Sequence, residues 1–212
     1  FSFSTWAQPP ASAAASSESP TPTECEAPDF SPAIEARPTT NVADQPSGLH
    51  FKLALPQGAH EDPEEPGEAD LRTARVTLPQ GLAVNPASAD GLAACTPAQV
   101  GLTTPTGSTP IHFNLAPAQC PNASKVGTVS ANAPALDHTI SGSVYLASQE
   151  DNPFNSLLAI YIVLEDEQSG IVVKLAGRVE PDPVTGQLST TVSESPQLPV
   201  SDFTFDFFEG AR

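Results

Sequence analysis

Four histidines, His50, His60, His112 and His138, are the first residues to examine for chemistry, because acid–base and metal work most often runs through imidazole. Each stands singly, and neither an HExxH pair nor a nucleophile elbow occurs. His50 and His112 alternate with apolar neighbours, which predicts solvent-facing strand positions. Asp137 and His138 adjoin in "LDHT", yet neighbours on a strand point to opposite faces, so a working pair is not expected there. The acids of residues 57–70, Glu61, Asp62, Glu64, Glu65, Glu68 and Asp70, could offer oxygens to calcium. They lack EF-hand spacing and are broken by proline, so a solvated loop is expected. Asn122-x-Ser124 matches a glycosylation sequon, a common chance pattern. No catalytic residue, metal ligand or cofactor site is nominated. A glycosidase pair among 25 acids cannot be picked out by spacing.

Three cysteines remain. Cys95 and Cys120 lie in a segment without a second CxxC, so zinc is not expected and a disulfide is. Their Cα atoms should then stand about 4.4–6.8 Å apart. A disulfide implies an oxidising, extracellular or cell-surface location. Cys25 is left seeking a partner beyond Arg212 or in another molecule; pairing of Cys25 with Cys95 or Cys120 is the rival arrangement.

The elements that carry these residues read as strands. Alternation or β-branched enrichment marks 49–55, 72–82, 111–115, 124–132, 140–148, 156–165, 170–180, 188–194 and 201–210. Short helical turns are expected only within 88–100, with Ser88 and Thr96 as caps. Phe203, Phe205 and Phe207 share one face and should meet residues of 156–163 and 171–175 in a core, with a bulge or sheet edge at Phe208. Without crossover helices, these strands predict an all-β fold, an antiparallel β-sandwich, Ig-like or related.

Ahead of that domain, Phe1, Phe3 and Thr5 alternate with serine, and Trp6 follows. Residues 1–8 read as a strand that belongs to or completes a neighbouring unit. Residues 9–24, rich in Pro, Ala and Ser, read as a linker that could span about 50 Å at ~3.1 Å per residue. Residues 25–212 form the domain, expected to be cut short at its C-terminus. The 212 residues contain no Met and carry a formal charge of −17, a field that disfavours nucleic acid and anionic membranes. No run approaches a membrane span.

The series "VTLPQGL", "GLAACTPAQV", "CPNASKVGTV", "ISGSVYLAS", "KLAGRVEPDPVTGQLSTTV" and "PQLPVSDFTFDFFEG" resembles a domain repeated in large secreted or surface proteins of high-GC Gram-positive bacteria. The resemblance covers about residues 25–212 and implies no known activity. It also implies a further cysteine after the "FFEG" element, which favours a Cys25 partner beyond Arg212. The expectation is a non-enzymatic structural module in a tandem array, stalk, coat or filament, whose partners are neighbouring copies or domains. The alternative is an adhesin or glycan-binding sandwich using loops 57–70 or 149–156; a secreted hydrolase ranks third.

Overall fold

The computed structural model describes residues 30–57, 69–82 and 93–209, and the backbone of 2–4 and 12–14. Short strands β1 (Ser2–Ser4) and β2 (Ser12–Ala14) pair antiparallel as a sheet of their own. The residue 9–24 stretch, read as an extended linker, therefore contains a strand that gives Phe3 a local partner in Ala13. The remaining strands are β3 (Ala33–Pro38), β4 (Leu49–Ala54), β5 (Ala74–Thr77), β6 (Lys125–Asn132), β7 (Ile140–Leu146), β8 (Ala159–Asp166), β9 (Ile171–Pro181), β10 (Leu188–Val192) and β11 (Asp202–Phe207). One four-residue helix, α1 (Pro97–Val100), interrupts the β structure.

The fold is all-β and antiparallel, but these nine strands make one sheet, in the order β3-β4-β11-β6-β7-β8-β9-β10-β5. Two features turn the expected pair of sheets into one. The last strand, β11, slots between β4 and β6 and hydrogen-bonds to both. The eleven residues of β9 are enough to pair with β8 along its first part and with β10 at its end. The sheet then curls into a half-barrel. Leu71 and Val76, at the β5 edge, pack on the Phe51, Leu53 and Leu55 cluster of β4, near the opposite edge.

Alternation gives the curled sheet two faces. The inner face carries Val129, Ala131, Ile140, Val144, Ile162 and Leu164, joined by Phe203, Phe205 and Phe207 and by Ile171, Val173 and Leu175. The three phenylalanines thus meet the strands expected of them. They run as a column of stacked rings about 6 Å apart. β11 ends at Phe207, and Phe208 N–H still donates to the Val126 carbonyl at 3.0 Å; the register shift between Lys125 and Gly127 belongs to the β6–β7 pairing, and β11 lies inside the sheet instead of at its edge.

Over β7–β9 the outer face is apolar as well, which is why β8 is buried on both sides. Ala159, Tyr161, Val163 and Ala176 are roofed there by Val100, Leu102, Ile111 and Phe113 of the 93–122 segment. Residues 111–115, expected as a strand, form only an isolated bridge, Leu102 to Phe113, within this cover. Thr96 caps α1 in a reciprocal box with Gln99, as its sequence suggested. Gly101 ends the helix at φ 82°, where a Cβ would run into the Asn114 side chain. Ser88, the other expected cap, lies outside the described residues.

Candidate functional site

The disulfide is where the sequence placed it. Cys95 and Cys120 are bonded with their Cα atoms 5.0 Å apart, at the two ends of the cover. Cys95 is buried and anchored to the sheet by its backbone: its N–H donates to the Leu146 carbonyl (2.8 Å), and its carbonyl accepts from Ser148 N–H (3.0 Å). The bond therefore ties the far end of the cover to β7. Cys25, Phe1 and Trp6 lie outside the described residues; Phe3 lies in β1, with its side chain outside them. Residues 58–68 of the acidic loop are outside as well.

A second fastening is polar. Lys174 of β9 faces outward under the cover, buried, and its Nζ donates to the Ala116 carbonyl and to Asn114 Oδ1 (3.3 Å). Burial pushes its pKa down, and the nearby Glu165 carboxylate opposes that. Glu165 itself accepts from Ala118 N–H at 2.7 Å. Beside this tether runs a groove of about 440 Å³ between Pro110–Leu115 and the first part of β9, closed on one side by Glu194 and Pro196. It exists because β10 pairs only with Gly177–Pro181, so the chain after Val192 diverges from β9.

His138 is the residue the sequence reading placed wrongly. It lies in the β6–β7 connection, not on a strand, and there both ring nitrogens meet carboxylates. Nδ1 is 2.9 Å from Asp137 Oδ1, and Nε2 is 2.9 Å from Asp166 Oδ2. The opposite-face rule assumes extended backbone, and this turn does not obey it. His138 and Asp166 are largely covered, at 24% and 15% side-chain exposure. Donating hydrogen bonds to Asp137, and then to Asp166, raises the His138 pKa above 6.5. Asp166 is held down at about 2, first by the Ser169 hydroxyl, then by His138. The Ser169 hydroxyl and N–H both donate to Asp166 Oδ2. This connectivity differs from a hydrolytic triad, in which serine donates to histidine. Between its two carboxylates, His138 fastens the β6–β7 connection to the end of β8.

The other expectations resolve individually. His112 is exposed, and His50 lies on the outer face 2.6 Å from Asp206, its cross-strand neighbour. Asn122 is exposed while Ser124 is buried, its hydroxyl donating to the Pro121 carbonyl. In loop 149–156 the amide of buried Asn152 donates to the Ser148 and Ser156 carbonyls and accepts from Phe154 N–H, and Phe154 turns toward the core. That loop is a self-satisfied turn. Among the described residues no three His, Cys, Asp or Glu side chains converge as metal ligands, and no helix is long and apolar enough to cross a membrane.

These features define an all-β protein in which a disulfide-fastened cover lies over the β7–β9 part of the outer face of a half-barrel sheet. No family model, curated protein or solved structure matches the chain.

Proposed function

We propose that this chain is a non-enzymatic structural module of the cell exterior, one unit of a tandem array, stalk, coat or filament. The observation that carries this reading is a broad sheet fastened on its outer face by a disulfide and a buried lysine, yet open at its β3 edge. Such a body resists local peeling and presents backbone groups at its side, as association with a neighbouring unit by strand addition requires. We read the curl as sandwich-like, since side chains of β4 and β11 share one core across the fold with Leu71 and Val76 at the β5 edge. The Cys95–Cys120 bond supports an oxidising location. The resemblance of residues 25–212 to a repeated surface domain points the same way, and makes neighbouring copies or domains the natural partners.

Sedimentation velocity over a concentration series, with negative-stain microscopy, tests the reading. Concentration-dependent oligomers or strings are expected. A strictly monomeric chain that binds a glycan saturably on an array would replace it with the adhesin reading.

A further inference from the structure

We infer that β3 is a self-pairing edge, through which two copies of this chain join antiparallel about Ala36 into one continuous sheet. This rests on the structural-module reading and names the surface and register it would use.

β3 is the barest element of the sheet. All six of its residues are exposed, and Ile34 is 66% exposed, with Phe30 just before the strand at 48%. The other edge, β5, alternates between half-buried and exposed positions, and Val76 is packed on β4. Of the two edges, only β3 presents both an open row of backbone groups and uncovered side chains.

The direction of its free hydrogen-bonding groups follows from its pairing. Thr39 N–H donates to the Gly48 carbonyl at 3.0 Å, which sets the phase of the β3–β4 ladder. Alternation then aims the backbone groups of Glu35 and Arg37 at β4, and those of Ile34, Ala36 and Pro38 outward. Pro38 has no N–H to offer, so the outward row is open at Ile34 and Ala36 and half-closed at Pro38.

Charge selects the register. Glu35 and Arg37 share the outer face and pair with each other within the strand, at 2.8 Å, while 46% and 75% exposed. Centre a two-fold axis on Ala36, and each Glu35 lies opposite the other copy's Arg37, twice over. The two Ala36 residues then exchange hydrogen bonds, and each Ile34 N–H meets the opposite Pro38 carbonyl, the one ladder group Pro38 can supply. Moving the axis to residue 35 sets Glu35 against Glu35; moving it to residue 37 sets Arg37 against Arg37. Like charges directly opposite are unfavourable. The Ala36 register also continues a pattern in the sheet: Glu35 faces Lys52, and Arg37 lies beside the His50–Asp206 pair. On the inner face, Ile34 of each copy meets Pro38 of the other, covering apolar surface that is bare in one copy. The two-fold contact is isologous, so it closes as a dimer.

Two exposed charge reversals test this without threatening the fold. Glu35→Arg alone sets arginine against arginine across the contact, and Arg37→Glu alone sets glutamate against glutamate, each twice per dimer. Each single variant should self-associate on the order of tenfold or more weakly than the wild type by sedimentation velocity. An equimolar mixture of the two should recover wild-type dimerisation, because both arginines of one variant then face the two glutamates of the other. Ala36→Pro, which removes only an outward N–H, should abolish the dimer with β4 pairing retained by hydrogen exchange. If the wild type associates and the single variants associate equally well, the β3 contact is overturned and the array reading stands. A wild type that stays monomeric at every concentration overturns both.

Discussion

At the scale of single residues, the polar groups of this protein act mainly as fasteners, and two make sharp predictions. His138 binds its proton more tightly folded than unfolded, so its contribution is complete below its ordinary value of 6.5 and is lost as pH rises through the raised value. Asp166 is the opposite case. Its contribution is complete above 3.8 and fades as pH falls toward about 2. The stability difference between wild type and His138→Asn should therefore be widest between about pH 4 and 6.5 and narrow on either side. Thermal melts across that range measure it, and a flat difference would contradict the assignment. Tyr161 is a different kind of residue. It is fully buried under the cover, its ring edge-on to Phe113, and its hydroxyl has no hydrogen-bond partner among the described residues. Burial, with Asp151 as a lesser influence, raises its pKa. An unpaired buried hydroxyl costs about 1–3 kcal/mol, so Tyr161→Phe should leave the fold intact and raise stability by about 1 kcal/mol in urea titration. The sequence revealed neither role, because a turn and a roof brought together groups its local pattern kept apart.

At the scale of elements, the cover and the sheet beneath it are separable. Residues 93–122 add a single four-residue helix and one isolated bridge of their own, and they owe their place to Cys95–Cys120, the backbone bonds of Cys95 to Leu146 and Ser148, Lys174, Glu165 and a few apolar side chains. A disulfide with a sequence separation of 25 is worth about 3.5 kcal/mol in the chain-entropy model. Replacing both cysteines by alanine should lower Tm by about 10 °C for a chain of this size. Amides of 93–122 should lose exchange protection before those of β6–β8; simultaneous loss everywhere would mean that the cover is no separate unit. Most strands were legible because alternation with Val, Ile, Tyr and Phe is a local signal, and 49–55, 124–132 and 201–210 became β4, β6 and β11 within a residue or three. β3 was missed. "AIEARP" is short, rich in helix formers and closed by proline, and it is extended because β4 offers it a ladder. The error at 111–115 is its mirror image: an alternating pattern in a segment held by packing instead of by strand neighbours.

At the scale of the whole molecule, the question is why one sheet formed where two were expected. Strand pairings such as β11 with β4 join residues far apart in the chain, and nothing local encodes them; the sequence shows which residues want a core face, not which strand lies beside which. Once β11 joins β4 to β6, right-handed twist accumulates across the nine strands and brings the two ends toward each other. The contact that results is small. Leu71 and Val76 on Phe51, Leu53 and Leu55 close the curl, whereas β6 through β9 are held by long paired strands and apolar side chains on both faces. The half-barrel should therefore open at this seam first. Leu71→Ala with Val76→Ala removes half-buried side chains worth about 1 kcal/mol each. Amides of β5 and β10 should then exchange faster, while β6–β9 keep their protection. The same truncation at exposed Val184, in the β9–β10 turn, should change neither. Uniform acceleration across all nine strands would show instead that the curl and the central strands unfold as one unit, and that the seam is as strong as the sheet it closes.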